Sequence, residues 1–143
     1  MPVIRDIMSK VVISVRPEAT LISAVKTLTR HHLSGAPVVT PEGEVVGFIS
    51  EPNLMDVLFD ADARNAPVSE YMSRDVHVVD SRDSIGTAAK LFTIFGIRRL
   101  PVVENGRFIG IVTRRDLLAY SLQHEEPLSE PLLELIPALG EYA

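Results

Sequence analysis

Apolar and polar positions along this 143-residue chain follow one pattern, and they follow it twice. Leu21, Ala24, Val25 and Leu28 stand at i, i+3, i+4 and i+7, the spacing that gathers apolar side chains on one helix face. Ile85, Ala88, Ala89 and Phe92 repeat that face. Thr20 and Ser84 precede the two faces, and both are residue types that accept a hydrogen bond from a first-turn N–H. A hairpin follows each helix. In the first copy Ala36–Val39 and Val45–Ile49 flank a turn at Pro41-Glu42-Gly43. In the second, Leu100-Pro101-Val102-Val103 runs into Glu104-Asn105-Gly106, and Asn-Gly is a strong hairpin signal. Each copy opens with a short helical lead-in ending at Met8 or Met72, then a strand, Val11–Val15 or Val76–Val79. Each closes with a second helix, Leu54–Phe59 or Leu117–Leu122.

The repeat is residue for residue. Met8-Ser9 and Met72-Ser73 lie 64 positions apart, and the same offset pairs Val15 with Val79, Ala24 with Ala88, and Pro37-Val38-Val39 with Pro101-Val102-Val103. One residue drops out in the hairpin turn. Thereafter Gly47 pairs with Gly110, Ser50 with Thr113 and Asn53 with Asp116. The fold class is therefore α+β, built from two β-α-β-β-α repeats: residues 3–59, a polar linker 60–66, residues 67–122, and a tail 123–143 outside the repeat. A unit of about 55 residues buries too little surface alone. The two are expected to pack sheet to sheet about a pseudo-two-fold axis, with equivalent loops across a shared cleft. In the tail, Pro131 to about Leu135 is expected to form a short helix. It would cover the body, seal a dimer, or carry a signal to a partner.

Composition narrows the chemistry. Hydrophobic residues make up 46% of the chain, enough for a core, which must be aliphatic because Trp is absent and aromatics are few. There is no Cys, which excludes disulfides, thiolate catalysis and Cys-based metal sites. No apolar run reaches membrane-spanning length, and Asp6 interrupts any signal-peptide core, so a cytoplasmic protein with no membrane partner is expected. Net charge is −5, a poor match for nucleic acid. Positive charge is nevertheless concentrated at Arg98, Arg99, Arg107, Arg114 and Arg115. His31 and His32 are neighbours, about 100° apart if helical, and do not chelate one metal from one face. His77 and His124 lack a partner at ligand spacing. No nucleophile–base pair, Walker loop or metal set can be read off the chain, so no enzyme, required cofactor or metal is expected.

The remaining motif is Gly110-Ile111-Val112-Thr113-Arg114-Arg115-Asp116. Thr113 and Asp116 have the spacing of a capping box. Asp116 equally offers two acceptor oxygens to a vicinal diol, and Thr113 a hydroxyl at a helix start, where anions are favoured. The two readings are compatible.

The Met-Ser lead-in, the x-Pro-Val-Val strand and Gly-h-h-[Ser/Thr]-x-x-[Asp/Asn], in that order and twice over, resemble the cystathionine-β-synthase (CBS) domain. Two in tandem resemble a stand-alone Bateman module. The resemblance implies a regulatory module that binds an adenosine nucleotide (AMP, ADP or ATP) between the repeats, forms a homodimer, and modulates an unknown protein target or its own oligomer. Alternatives are an S-adenosylmethionine or NAD(H) sensor, or a ligand-free dimerisation module. By the same resemblance one site would use Ser14, Leu33, Ser34, Gly35 and Ala36 with Ile111, Thr113, Arg115 and Asp116. A weaker site would use Ser50 and Asn53 with Val78, Ile97, Arg98, Arg99 and Leu100, because Asn53 stands where the ribose Asp is expected; Arg98 and Arg99 serve either that site or the tail of a ligand held by Asp116.

Overall fold

A computed structural model describes residues 2–10 and 12–124; the expected helix at Pro131 lies outside the described residues. The chain forms two compact units whose boundaries cut across the repeats. One is Ile13–Val76 with Gly106–Phe108; the other joins the described residues before Ile13 to His77–Asn105 and to the described residues from Ile109.

In the first of these, α1 (Leu21–Arg30) starts where Thr20 Oγ1 accepts the Ser23 N–H at 3.2 Å, and it buries Leu21, Ala24 and Leu28. β1 (Gly35–Val39) and β2 (Val45–Ser50) pair antiparallel, Gly35 opposite Ser50 and Val38 opposite Gly47. The expected opening strand is reduced to Val15, which bridges Val38 in parallel. Its N–H donates to Pro37 O at 3.0 Å, and its carbonyl accepts from the Val39 N–H at 2.9 Å. The next bond of a parallel ladder would need an N–H on Pro37, which proline lacks. Pairing stops there. The closing helix begins earlier than its apolar pattern, as α2 (Glu51–Leu54), and tightens into a 3-10 turn at Met55–Leu58. A further short helix, α3 (Ala61–Arg64), falls within the stretch read as linker.

The other unit repeats the plan. β3 (Val79–Asp80), β4 (Arg99–Glu104) and β5 (Arg107–Thr113) form a three-stranded sheet in that order. β3 pairs parallel with β4, Val79 against Val102. Pro101 limits it as Pro37 does in the first copy, so the strand begins at Val79 rather than Val76. Asn105 and Gly106, with φ of 52° and 77°, make the two-residue turn that needs positive φ at both positions. α4 (Ile85–Phe95) is capped by Ser84, whose Oγ accepts the Thr87 N–H at 3.3 Å. α5 (Arg114–Gln123) closes the copy.

The lead-ins are exchanged. Ile4, in a 3-10 turn at Ile4–Asp6, is fully buried with Val79, Ala88, Phe92, Leu100, Val102 and Val112, all second-copy residues. Ser9 N–H donates to Ile111 O at 2.8 Å, and Ile111 N–H returns to Ser9 O at 3.0 Å. An ion pair joins Arg5 to Glu104, and the buried Ser81 hydroxyl donates to the same Glu104 carboxylate at 2.8 Å. The second copy's lead-in does the converse: Val68 and Met72 are buried in the first-copy core, and Ser73 exchanges two 2.9 Å bonds with Phe48. The repeated Gly47 and Gly110 are required by this packing. A Cβ on Gly110 would lie 2.6 Å from Ser9 O, and one on Gly47 would lie 2.8 Å from Met72 Cγ.

Candidate functional site

The start of α5 is organised by two reciprocal bonds. Thr113 Oγ1 accepts the Asp116 N–H at 3.1 Å, and Asp116 Oδ2 accepts the Thr113 N–H at 2.8 Å, a complete capping box. Asp116 is half-buried, and among the described residues its Oδ1 accepts no hydrogen bond. A carboxylate oxygen with open lone pairs thus sits at a helix start. In the first copy the chemistry differs at the same place. Asn53 Oδ1 accepts both the Ser50 N–H at 2.9 Å and the Ser50 hydroxyl at 2.7 Å. An amide oxygen has two lone pairs, and both are taken. What Asn53 has left is an NH2 donor.

The surroundings of the two motifs also diverge. Arg98, Arg99, Arg114 and Arg115, with Thr113 and Leu118, line an open recess of about 560 Å³. The Arg114 N–H donates to Arg98 O at 3.3 Å, which sets the two arginine pairs side by side. The first copy uses the same backbone bond, Glu51 N–H to Ser34 O at 3.0 Å. There the adjoining recess, about 500 Å³, is lined by Leu33, Ser34, Glu51, Leu54, Met55 and Leu58 among others. The frame is shared and the charge is reversed.

Of the residues expected at a site, Ser14, Leu33, Ser34, Gly35, Ala36, Ser50 and Asn53 lie in the unit 13–76, whereas Val78, Ile97, Arg98, Arg99, Leu100, Ile111, Thr113, Arg115 and Asp116 lie in the other. Within the latter, Arg98, Arg99, Thr113 and Arg115 share the recess. Sequence reasoning set Arg98 and Arg99 with Asn53 while leaving open that they reach a ligand held by Asp116, and it left out Arg114. The signal available was the 64-position offset, which sets Arg98 level with Ser34, the residue beside Glu51. Leu100 is fully buried in the core beside Val102, and Ala36 is buried with Val38. Ser14 and Ser34 are exposed. His31 and His32 fall just beyond α1, His32 with a φ of 54°. Among the described residues no three His, Asp or Glu side chains form a metal-holding group, and no helix is long and apolar enough to cross a membrane.

Two sheet-and-helix units with one recurring Pro-Val-Val strand and one recurring capped helix define a tandem-repeat α+β architecture. The chain belongs to the CBS domain family, whose pattern it matches over residues 4–60 and 68–123. It is 32% identical over 115 residues to the uncharacterized protein MJ1225 of Methanocaldococcus jannaschii, which covers 80% of this chain but only 41% of that protein. Its fold matches that of CBSX2, solved in complex with AMP, with a TM-score of 0.75 and 26% identity over 87% of this chain and 98% of that one. It also matches the CBS domain pair of MJ0100, solved with 5-methylthioadenosine and S-adenosyl-L-methionine, with a TM-score of 0.70 and 25% identity over 87% of this chain and 98% of that one.

Proposed function

We propose that this chain is a regulatory, non-catalytic module that binds an adenosine nucleotide through the start of α5. Asp116 Oδ1 accepts from the ribose hydroxyls, Thr113 adds its hydroxyl, and the arginines take the anionic tail. The observation that carries the reading is the open Oδ1 of Asp116, whose capping partner Thr113 lines the recess with four arginines, set against the saturated oxygen of Asn53. Charge-assisted bonds to a carboxylate contribute about 1.5–3 kcal/mol each. Arginine matches phosphate geometry through bidentate contacts. The same arginines disfavour the cationic sulfonium of S-adenosylmethionine, so AMP, ADP and ATP are the preferred ligands. That two similar proteins carry AMP or methylthioadenosine in their solved structures supports the adenosine part. Binding acts by favouring one of two arrangements that a partner or a second copy distinguishes.

Thermal shift tests this. A ligand that binds only the native state raises Tm by mass action, and AMP, ADP or ATP should do so while S-adenosylmethionine does so less. A second reading is favoured by one fact: the capping box is complete without any ligand. In that reading the chain is an assembly module, and a flat response to all four compounds and to NADH would establish it.

A further inference from the structure

Residues 125–143 carry the sharpest charge imbalance in the chain. Glu125, Glu126, Glu130, Glu134 and Glu141 stand there with no Lys, Arg or His. Those five charges equal the net charge of the whole chain, −5, so residues 1–124 balance and the excess lies in this one segment. The segment is also apolar, with Leu128, Leu132, Leu133 and Leu135 interleaved among the acids. Its natural counterpart is a surface that sets cations beside an apolar side chain.

The recess at the start of α5 is such a surface. Arg98, Arg99, Arg114 and Arg115 line it together with Leu118, and its charged lining residues are all arginines. Arg98, Arg114 and Arg115 are exposed, and among the described residues none of the three is held in an ion pair. The first copy's recess is a poor rival, because it is bordered by Glu51 and by no arginine, and juxtaposed like charges suppress association. Reach is ample. The ten residues of α5 rise about 15 Å, and a stretch such as 125–130 spans about 20 Å when extended. The tether also makes the contact intramolecular, at an effective concentration of about the millimolar range.

We infer that residues 125–143 fold back and dock in the arginine recess of the same chain, glutamates on guanidiniums and leucines on Leu118. Carboxylates suit these partners because the guanidinium fork matches them bidentately. The docked segment holds the ground proposed above for a ligand's anionic tail, which makes it a built-in competitor for that site. This consequence rests on the nucleotide reading; the docking does not, and a flat thermal shift leaves its readout untouched.

Paramagnetic relaxation measured by NMR on the isotope-labelled full chain tests the docking. The chain has no Cys, so a nitroxide on Ser129→Cys sits at one place. Amide signals of Arg98, Arg99, Arg114 and Arg115 should lose most of their intensity and regain it as salt screens the contact. Arg114→Glu/Arg115→Glu should abolish the loss. Acidic residues are favoured in a first helical turn, so circular dichroism should report that variant as folded. Adding Glu126→Arg/Glu130→Arg to it should restore the loss, since opposite charges face each other again. A mixture of nitroxide-bearing chain with isotope-labelled, nitroxide-free chain should show none. Losses in that mixture would assign the contact to a second copy and overturn the inference. So would losses confined to the first copy's recess, no loss beyond the neighbours of the nitroxide, or a loss that survives the charge reversal.

Discussion

The two copies of the chain place the same backbone bonds under different side chains, and their capped helix starts show what the difference does. Ser50 and Asn53 close on themselves: the hydroxyl donates inward, and the amide oxygen is filled. Thr113 and Asp116 satisfy each other's backbone N–H groups with the Thr113 hydroxyl and one carboxylate oxygen, and leave the other carboxylate oxygen open. The surrounding charge follows suit, Glu51 beside Ser34 in one copy and Arg114 beside Arg98 in the other. Duplication kept the frame that fixes the helix start. The side chains that frame presents diverged, and a single oxygen atom separates a closed structural cap from one with an acceptor to spare.

The largest expected effect tests whether the copies are stitched by exchanged lead-ins. Ile4→Ala removes a fully buried side chain and should cost about 2–5 kcal/mol. Its signature is local: amides of α4 should exchange faster before those of α1 do, although Ile4 opens the first repeat in sequence. Val68→Ala should show the reverse order, by native-state hydrogen exchange. Next come the glycines. Gly110→Ala forces a Cβ against Ser9 O and Gly47→Ala against the buried Met72; each should lower stability by about 1–3 kcal/mol in denaturant melts. Smaller still is Asn53→Asp, which restores a carboxylate to a helix start. It should stabilise by about 0.3–1 kcal/mol at low salt, an increment that added salt removes, and it should not create a phosphate-binding site beside Glu51.

Much of this was legible in the residues. The 64-position offset, the helix faces and the Asn-Gly turn fix the order of elements, because each depends on local spacing. Three things were not legible, each for a physical reason. The opening strands shrink to Val15 and Val79 because Pro37 and Pro101 lack the N–H that the next parallel bond needs, a consequence visible only once the pairing partner is known. The closing helices start three residues before their apolar faces because the first turn is held by caps, not by burial. The lead-in exchange is hidden because a repeat offset states which residues are equivalent, not which copy they pack against. At the site, Thr113 and Asp116 could be named from spacing alone. The membership of Arg114 and of Arg98 beside it depends on a backbone bond from the first residue of α5 to Arg98, just ahead of β4, that no local pattern announces.

The central claim, that the sugar anchor belongs to the second copy because only Asp116 has an acceptor to spare, is tested most directly by exchanging the two residues. The double variant Asn53→Asp/Asp116→Asn keeps the composition, the net charge and both capping boxes, so Tm should stay near wild type. Calorimetric titration with AMP should then show affinity at least tenfold weaker, about 1.4 kcal/mol. AMP bound as tightly as by the wild type would contradict the account.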